Sequence, residues 1–164
     1  MSVAPGVAER VNTSESLSPL LWRDIVAIVD DGRSSAPAYQ GLAELAASLH
    51  AEHPHGYGVL IIIPKNARPP SDQARRAINE AIAAASAGLK CVCWLVEGKG
   101  FQAAMARAVL TGLRLLPRNK FETAVKSELS EALAWILLCL RGPSIDIEDE
   151  ITAARVSLHR QRPE

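Results

Sequence analysis

The sequence predicts an α/β protein with a mainly parallel or mixed sheet of four to five strands, four helices and a C-terminal tail helix. The first observation is the stretch Tyr57–Pro64, in which Val59–Ile63 is continuously apolar and rich in β-branched residues. Such a run is typical of a strand covered on both faces of a parallel sheet. The second is a similar run at Leu89–Val96. The third is the alternation of apolar runs with helical patterns and short loops, which favours parallel strands joined by helices.

The composition predicts one globular domain that spans residues 1–164. The 18 basic and 18 acidic residues balance, so the charge does not favour nucleic acid or an anionic membrane as a partner. The chain does not begin with the basic and apolar segments of a signal peptide. No apolar run approaches the roughly 20 residues of a membrane span. We therefore expect a cytoplasmic protein without a membrane span and without a nucleic-acid partner.

The first third of the chain is expected to supply one buried strand and one helix. Residues 1–18 are expected to be partly flexible or to add a short edge strand at Val7–Asn12. Trp22–Val29 is predicted to be a strand, because its second half is apolar and Asp30–Gly32 follows it with turn residues. Ala36–Glu52 carries an apolar stripe at helical spacing and is predicted to be a helix.

The middle of the chain continues the alternation of strands and helices. After the loop Lys65–Pro70, a helix is predicted from Ser71 to about Ala87, with prolines near its first turn. A third helix is predicted over Phe101–Leu115. Lys120–Ser127 mixes charged and apolar residues, which is typical of an edge strand. Ser127 is predicted to cap the fourth helix.

The fourth helix carries the unbroken apolar run Ala132–Leu140. A helix that is apolar nearly all round must be covered on more than one side. The tail, residues 144–164, contains a predicted helix at about Asp146–His159. We expect this tail helix to fold back over Trp135 and Leu138, or else a second copy of the chain to cover the same face in a homodimer.

The cysteines and histidines invite a metal or redox interpretation, which the sequence does not favour. Cys91 and Cys93 lie in an apolar run and Cys139 lies in the fourth helix, and buried, reduced thiols fit this placement. The three histidines within residues 50–55 straddle a proline at a helix exit, which favours a solvated turn over fixed metal geometry. We therefore expect no metal and no cofactor.

Three local runs within Val59–Leu140 carry a family resemblance. They are V-L-I-I-I-P followed by a loop and P-P-S-D-Q-A-R-R, then M-A-R-A-V-L-T-G-L-R-L-L-P, and finally S-E-A-L-A-W-I-L. Together with the order of the elements, they resemble the STAS domain of sulfate transporters and anti-sigma-factor antagonists, particularly its divergent bacterial versions. The resemblance implies a STAS-like fold and a non-catalytic, cytoplasmic regulatory module that binds a protein partner such as a regulator or a kinase-like protein.

The resemblance also implies where the partner binds. The expected surface is the loop after the central strand and the start of the helix that follows it. Its side chains are Asn66, Arg68, Ser71, Asp72 and Arg75.

Ser71 is the nearest match to the serine that is phosphorylated at this helix start in STAS proteins. The usual Asp-Ser order is reversed here to Ser71-Asp72, and Pro64 stands where the family has an acidic residue. A helix N-terminus favours a phosphate through its free amides and its dipole. Serine is also a common N-cap, and the sequence favours a cap alone over a phosphorylation site.

Two other classes of function compete with the interaction module. A small-molecule or anion-binding protein would use the carboxyl ends of the strands, where Asn66, Arg68, Ser71 and Lys99 could line a site. An enzyme has little support, because no nucleophile, base and orienting group fall at plausible strand ends. The G-x-S-x-G motif is also absent. The sequence therefore predicts no catalytic residue.

Overall fold

The protein folds around a mixed six-stranded sheet with helices on both faces. The computed structural model describes residues 9–10, 17, 19–100, 103–104, 106–107, 120–142 and 147–161. The strands are β1 (Glu9–Arg10), β2 (Leu20–Trp22), β3 (Ile25–Val29), β4 (Tyr57–Ile63), β5 (Leu89–Val96) and β6 (Glu122–Lys126). The helices are α1 (Ala36–Glu52), α2 (Asp72–Ala85), α3 (Leu129–Arg141) and α4 (Ile147–Gln161).

The strands lie in the sheet in the same order as in the chain. Strands β3 to β6 are parallel, whereas β1 and β2 add to the β3 edge in antiparallel orientation. The predicted α/β class with a mixed sheet is confirmed. The sheet has six strands and not the predicted four to five, because a hairpin of two strands, β2 and β3, replaces the predicted single strand Trp22–Val29.

Several predicted boundaries agree with the structure. Helix α1 and strand β5 begin and end at the predicted residues. Of the predicted edge strand Val7–Asn12, Glu9 and Arg10 form β1, and the remaining residues lie outside the described part of the chain. The predicted helix Phe101–Leu115 also lies mostly outside it, although Ala103, Ala104, Ala106 and Arg107 are helical.

The predicted single strand Trp22–Val29 is wrong, because the chain reverses at Arg23 and Asp24 to form the β2–β3 hairpin. Arg23 adopts a φ of 54°, a left-handed conformation that is uncommon for residues other than glycine. Its guanidinium lies 5.0 Å from the centroid of the Trp22 ring. Asp24 holds the turn in place, since its carbonyl accepts from Gly58 N (2.9 Å) and its carboxylate accepts from Arg141 Nη2 (2.8 Å).

Alternate residues of the strands build two separate cores, one on each face of the sheet. On one face, Leu60, Cys91, Cys93 and Leu95 pack with α3 and α4. On the opposite face, Val26, Ile28 and Val92 pack with α1 and α2.

The central strand β4 differs from the prediction that both of its faces are fully buried. On the α3 face Leu60 and Ile62 are buried, at 0% and 4% exposure. On the α1–α2 face Val59 and Ile61 are only half-buried. The two helices therefore cover their side of the strand incompletely.

The tail helix α4 folds back against α3 and β2, as predicted. Ala154 of α4 is completely buried in the core cluster, and Trp135 packs against that cluster while half-buried. The prediction that the tail also covers Leu138 is wrong, because this side chain is 46% exposed. Leu137 is fully buried, and since successive helical residues are about 100° apart, its neighbour Leu138 points away from the sheet.

Strand β6 lies at the edge of the sheet, as predicted. The predicted cap of the following helix is wrong by one residue. Glu128, and not Ser127, occupies the N-cap position of α3, and its side chain makes no capping hydrogen bond. Ser127 and Glu128 therefore both remain exposed at the carboxyl end of β6.

Candidate functional site

The carboxyl ends of the four parallel strands meet at one edge of the sheet, where open α/β sheets bind ligands. Asp30 follows β3, Pro64 follows β4, Glu97 follows β5 and Ser127 follows β6. Backbone hydrogen bonds continue between neighbouring strand ends, from Asp30 N to Ile62 O (2.9 Å) and from Glu97 N to Ile63 O (2.9 Å). The segments that leave the sheet at β3, β4 and β5 therefore start from fixed positions.

The loop after β4 is tied to the loop after β3. Arg68 N donates to Asp31 O (2.8 Å), and Ala67 N donates to Pro64 O (3.0 Å). Gly32, with a φ of +75°, lies against the Arg68 carbonyl so closely that a Cβ would fall 1.7 Å from its oxygen. Only glycine fits this contact, and the backbone of the β4–α2 loop is consequently held against its neighbour.

The start of α2 presents the residues expected to bind a partner. Ser71 Oγ accepts a hydrogen bond from Ala74 N (3.1 Å), which confirms the predicted N-cap. Asp72 lies in the first turn, where its charge suits the helix dipole. Arg75 pairs with Asp72, and with the two side chains 63% and 79% exposed this ion pair contributes little to stability. The loop–α2 surface is the exposed set Asn66, Arg68, Ser71, Asp72 and Arg75.

The structure does not gather the predicted ligand-binding residues around one cavity. A cavity of about 300 Å³ lies beyond the carboxyl ends of β5 and β6, lined among the described residues by Gly98, Lys99, Arg107, Ser127 and Glu128. Of the four side chains expected to line a ligand site, only Lys99 lines this cavity.

Arg107 is the residue of this cavity that sequence reasoning missed. Its Nη1 donates to Val96 O (3.3 Å) and to Gly98 O (3.5 Å). The guanidinium of Arg107 therefore binds backbone carbonyl groups at the carboxyl end of β5, and it lines the same cavity as Lys99. In the sequence, Arg107 is a basic residue one to two turns into the helical pattern that follows the Gly-Lys-Gly loop. Nothing in the sequence distinguishes it from the other basic residues.

Two of the three cysteines are buried, as the sequence predicts, and the histidines lie at the exposed end of α1. Cys91 and Cys93 are buried and Cys139 is half-buried, and burial raises the pKa of the Cys91 and Cys139 thiols. His53 ends α1, its backbone N donating to Leu49 O (2.8 Å), while the His50 and His55 side chains are exposed. Within the described ranges, no three His, Cys, Asp or Glu side chains group together as metal ligands would.

Leu138 and Val156 are large apolar side chains that remain exposed, each at 46%. In the described part of the chain, no helix is long and apolar enough to cross a membrane.

Comparisons of the chain with models of protein families, with curated proteins and with solved structures give no match. The STAS resemblance and the function that it implies therefore remain predictions, and the function has to be argued from the geometry of the chain itself.

Proposed function

We propose that the protein is a non-catalytic, cytoplasmic regulatory module of STAS-like type that binds a protein partner through the loop–α2 surface. One observation carries the proposal: the five side chains of this surface are all exposed on a backbone that is fixed by hydrogen bonds. A backbone that is already ordered loses little entropy on association, which favours binding. The alternative of a flexible loop would bind more weakly for the same contacts.

The charges on this surface indicate the kind of partner. Arg68 and Arg75 are exposed here together with Lys65 and Arg76, whereas Asp72 contributes the one carboxylate of the set. Complementary charge across an interface accelerates association and selects the partner. The surface therefore suits an acidic face on a regulator or a kinase-like protein.

Charge reversal tests this surface. A tagged chain carrying Arg68→Glu and Arg75→Glu is compared with the unmodified chain and with Arg155→Glu, which alters an exposed arginine on α4. We expect a specific partner to be recovered from a native lysate by the unmodified chain and by Arg155→Glu, and recovery to fall at least tenfold for the double variant. Equal recovery by all three chains, or no specific partner, would contradict the proposal.

Variants of Ser71 distinguish a structural role of this residue from a regulatory one. As an N-cap, Ser71→Ala should lower the free energy of unfolding by about 1 kcal/mol, measured by urea denaturation. Ser48→Ala, at an exposed position of α1, is the control and should change stability by less than about 0.5 kcal/mol. If Ser71 is only a cap, Ser71→Ala should leave partner binding unchanged, whereas Ser71→Asp should weaken it modestly because it adds a negative charge opposite an acidic partner. Substantial phosphate occupancy at Ser71, found by phosphopeptide mapping of the protein from its native source, would instead favour a phosphorylation switch at the helix start.

A second candidate function is anion binding in the cavity beyond β5 and β6. The placement of Lys99 and Arg107 on the same cavity supports it, because the two cationic side chains outnumber the single carboxylate of Glu128 there and attract phosphate or sulfate groups. Titration with inorganic phosphate, followed by calorimetry, tests it. Lys99→Ala should abolish the binding and Lys90→Ala, which alters an exposed residue near the start of β5, should retain it. If phosphate binds neither variant nor the unmodified chain, this candidate is wrong.

A further inference from the structure

The α1–α2 side of the sheet carries an apolar cavity of about 90 Å³ that is partly open to solvent. It runs beneath the two helices and over strands β3, β4 and β5. Seven of the apolar side chains that line it are only half-buried, although they lie between the helices and the sheet. These are Leu42, Leu45, Val59, Ile61, Ile78, Ile82 and Ala85.

The cavity exists because α2 turns small side chains towards the core. Its buried residues are Ala74, Ala77 and Ala81. Methyl groups let α2 approach α1 closely, and the larger Ile78 and Ile82 of the same helix line the cavity without filling it. The resulting gap is lined by aliphatic carbon, which favours an apolar occupant.

One end of the cavity is polar. Asp30 lines it beside Tyr39, and the Tyr39 hydroxyl donates to Asp30 Oδ1 (2.9 Å). Gly32 N donates to the same oxygen (2.9 Å). Both of these hydrogen bonds fall on Oδ1, so within the described part of the chain Oδ2 keeps its lone pairs available.

Tyr39 supports this arrangement as a neutral phenol. Burial, followed by the nearby Asp30 carboxylate, raises the pKa of Tyr39. The phenol therefore keeps its proton and continues to donate it to Asp30. The polar end presents a carboxylate acceptor whose orientation is fixed by two hydrogen bonds.

We propose that this cavity binds a small molecule that consists of a short linear aliphatic chain ending in a hydrogen-bond donor. The aliphatic chain lies against the leucine, isoleucine and alanine side chains, and the donor reaches Asp30. An alkylammonium group and an alkyl hydroxyl share this chemistry. This site is separate from the loop–α2 surface, and the inference goes beyond the proposed function.

The size of the ligand follows from the volume. A cavity of about 150 Å³ holds benzene, which has six non-hydrogen atoms, so 90 Å³ corresponds to about four, the number of carbon atoms in a butyl chain. A carboxylate head of the same length is excluded by chemistry, because its charge would face the Asp30 carboxylate in an apolar surrounding where unpaired charge is costly.

Three molecules that each contain four carbon atoms in a row test the inference: n-butylamine, n-butanol and butyrate. Each is titrated into the full chain while methyl chemical shifts of the cavity-lining residues are followed by NMR. We expect saturable shifts at Leu42, Ile61 and Ile78 with butylamine or butanol, and at least tenfold weaker binding of butyrate. Stronger binding of the amine would identify an ammonium as the preferred head, and stronger binding of the alcohol would identify a hydroxyl.

Two pairs of variants locate the site. Ala81→Leu fills the cavity and should abolish binding, whereas Ala84→Leu, on the exposed side of the same helix, should leave it unchanged. Asp30→Asn should weaken butylamine binding about tenfold and butanol binding less, while xenon should still perturb the methyl groups because the apolar walls are intact. Should Ala81→Leu fail to fold, Ala81→Val supplies a smaller filling change at the same position.

The inference is overturned if neither the amine nor the alcohol shifts the methyl resonances up to their solubility limits. It is equally overturned if butyrate binds as tightly as butylamine, or if a folded Ala81→Leu chain binds as well as the unmodified one. None of these results bears on the protein partner, because Ala81 and Asp30 do not belong to the loop–α2 surface.

Discussion

The two faces of the sheet are covered by helices of different composition, and they are packed to different degrees. On one face, α3 inserts Leu133, Ile136 and Leu137, which are all completely buried at 0% exposure. On the other face, the buried positions of α2 are alanines, while its Ile78 and strand residues such as Val59 and Ile61 remain half-buried. The same sheet therefore has one tightly filled side and one side with a cavity.

The difference shows how the size of the inward-facing side chains decides whether a face of the sheet contributes stability or leaves room for a ligand. Large aliphatic side chains fill the space between helix and sheet and gain the full benefit of burial. Small ones allow two helices to approach each other but leave volume over the strands. We therefore expect the α3 face to dominate the stability of the protein and the α1–α2 face to accommodate changes and ligands.

The largest expected effect comes from truncating the tight face. Leu137→Ala should lower the free energy of unfolding by about 3 kcal/mol, because a fully buried leucine leaves a cavity that its neighbours close only partly. Urea denaturation measures the change. The adjacent Leu138→Ala is the matched control, since Leu138 is 46% exposed, and it should change stability by less than about 0.5 kcal/mol. Comparable losses for both variants would mean that α3 is not oriented as described.

Adding a methyl group to the tight face should also destabilise it. A Cβ at Gly58 would lie 2.7 Å from Ile136 Cγ2 and 3.1 Å from Cys91 Sγ. Overpacking of this kind costs about 2 kcal/mol, so Gly58→Ala should shift the urea midpoint clearly downwards. Because the two residues are in contact, adding Ile136→Ala should cost less in the Gly58→Ala background than alone. Strict additivity would show that α3 moves away from β4 at little cost.

The elements that the sequence predicts best are those whose local pattern agrees with their environment. Strands β4 and β5 are continuous apolar runs with glycine or proline at their ends, and α1 has one clear apolar stripe. The β2–β3 hairpin was missed because Arg23-Asp24 lacks the Asn-Gly type of signal that marks a two-residue turn. The turn is stabilised instead by Arg141 and Gly58, which are distant in the chain.

The two candidate sites also differ in how far the sequence alone could predict them. The loop–α2 surface could be predicted, because it needs only an exposed segment after a buried strand. The Asp30–Tyr39 end of the apolar cavity could not, because it depends on the distance between a helix and the sheet. Alanines in α2 read as good helix formers in the sequence, and nothing local indicates that the space below them is unfilled.

The smallest expected effect has the opposite sign and separates the two faces most directly. Ala81 lines the cavity on the α1–α2 side, so the additional carbon atoms of Ala81→Leu can enter existing space. Burial of this apolar surface favours the folded state, and rotamer ordering and small adjustments offset part of that gain. We expect Ala81→Leu to raise the free energy of unfolding by about 0.5 kcal/mol, whereas Ala84→Leu on the exposed side should leave it unchanged. A loss of stability of the size expected for Gly58→Ala would show instead that the α1–α2 face is filled as tightly as the α3 face.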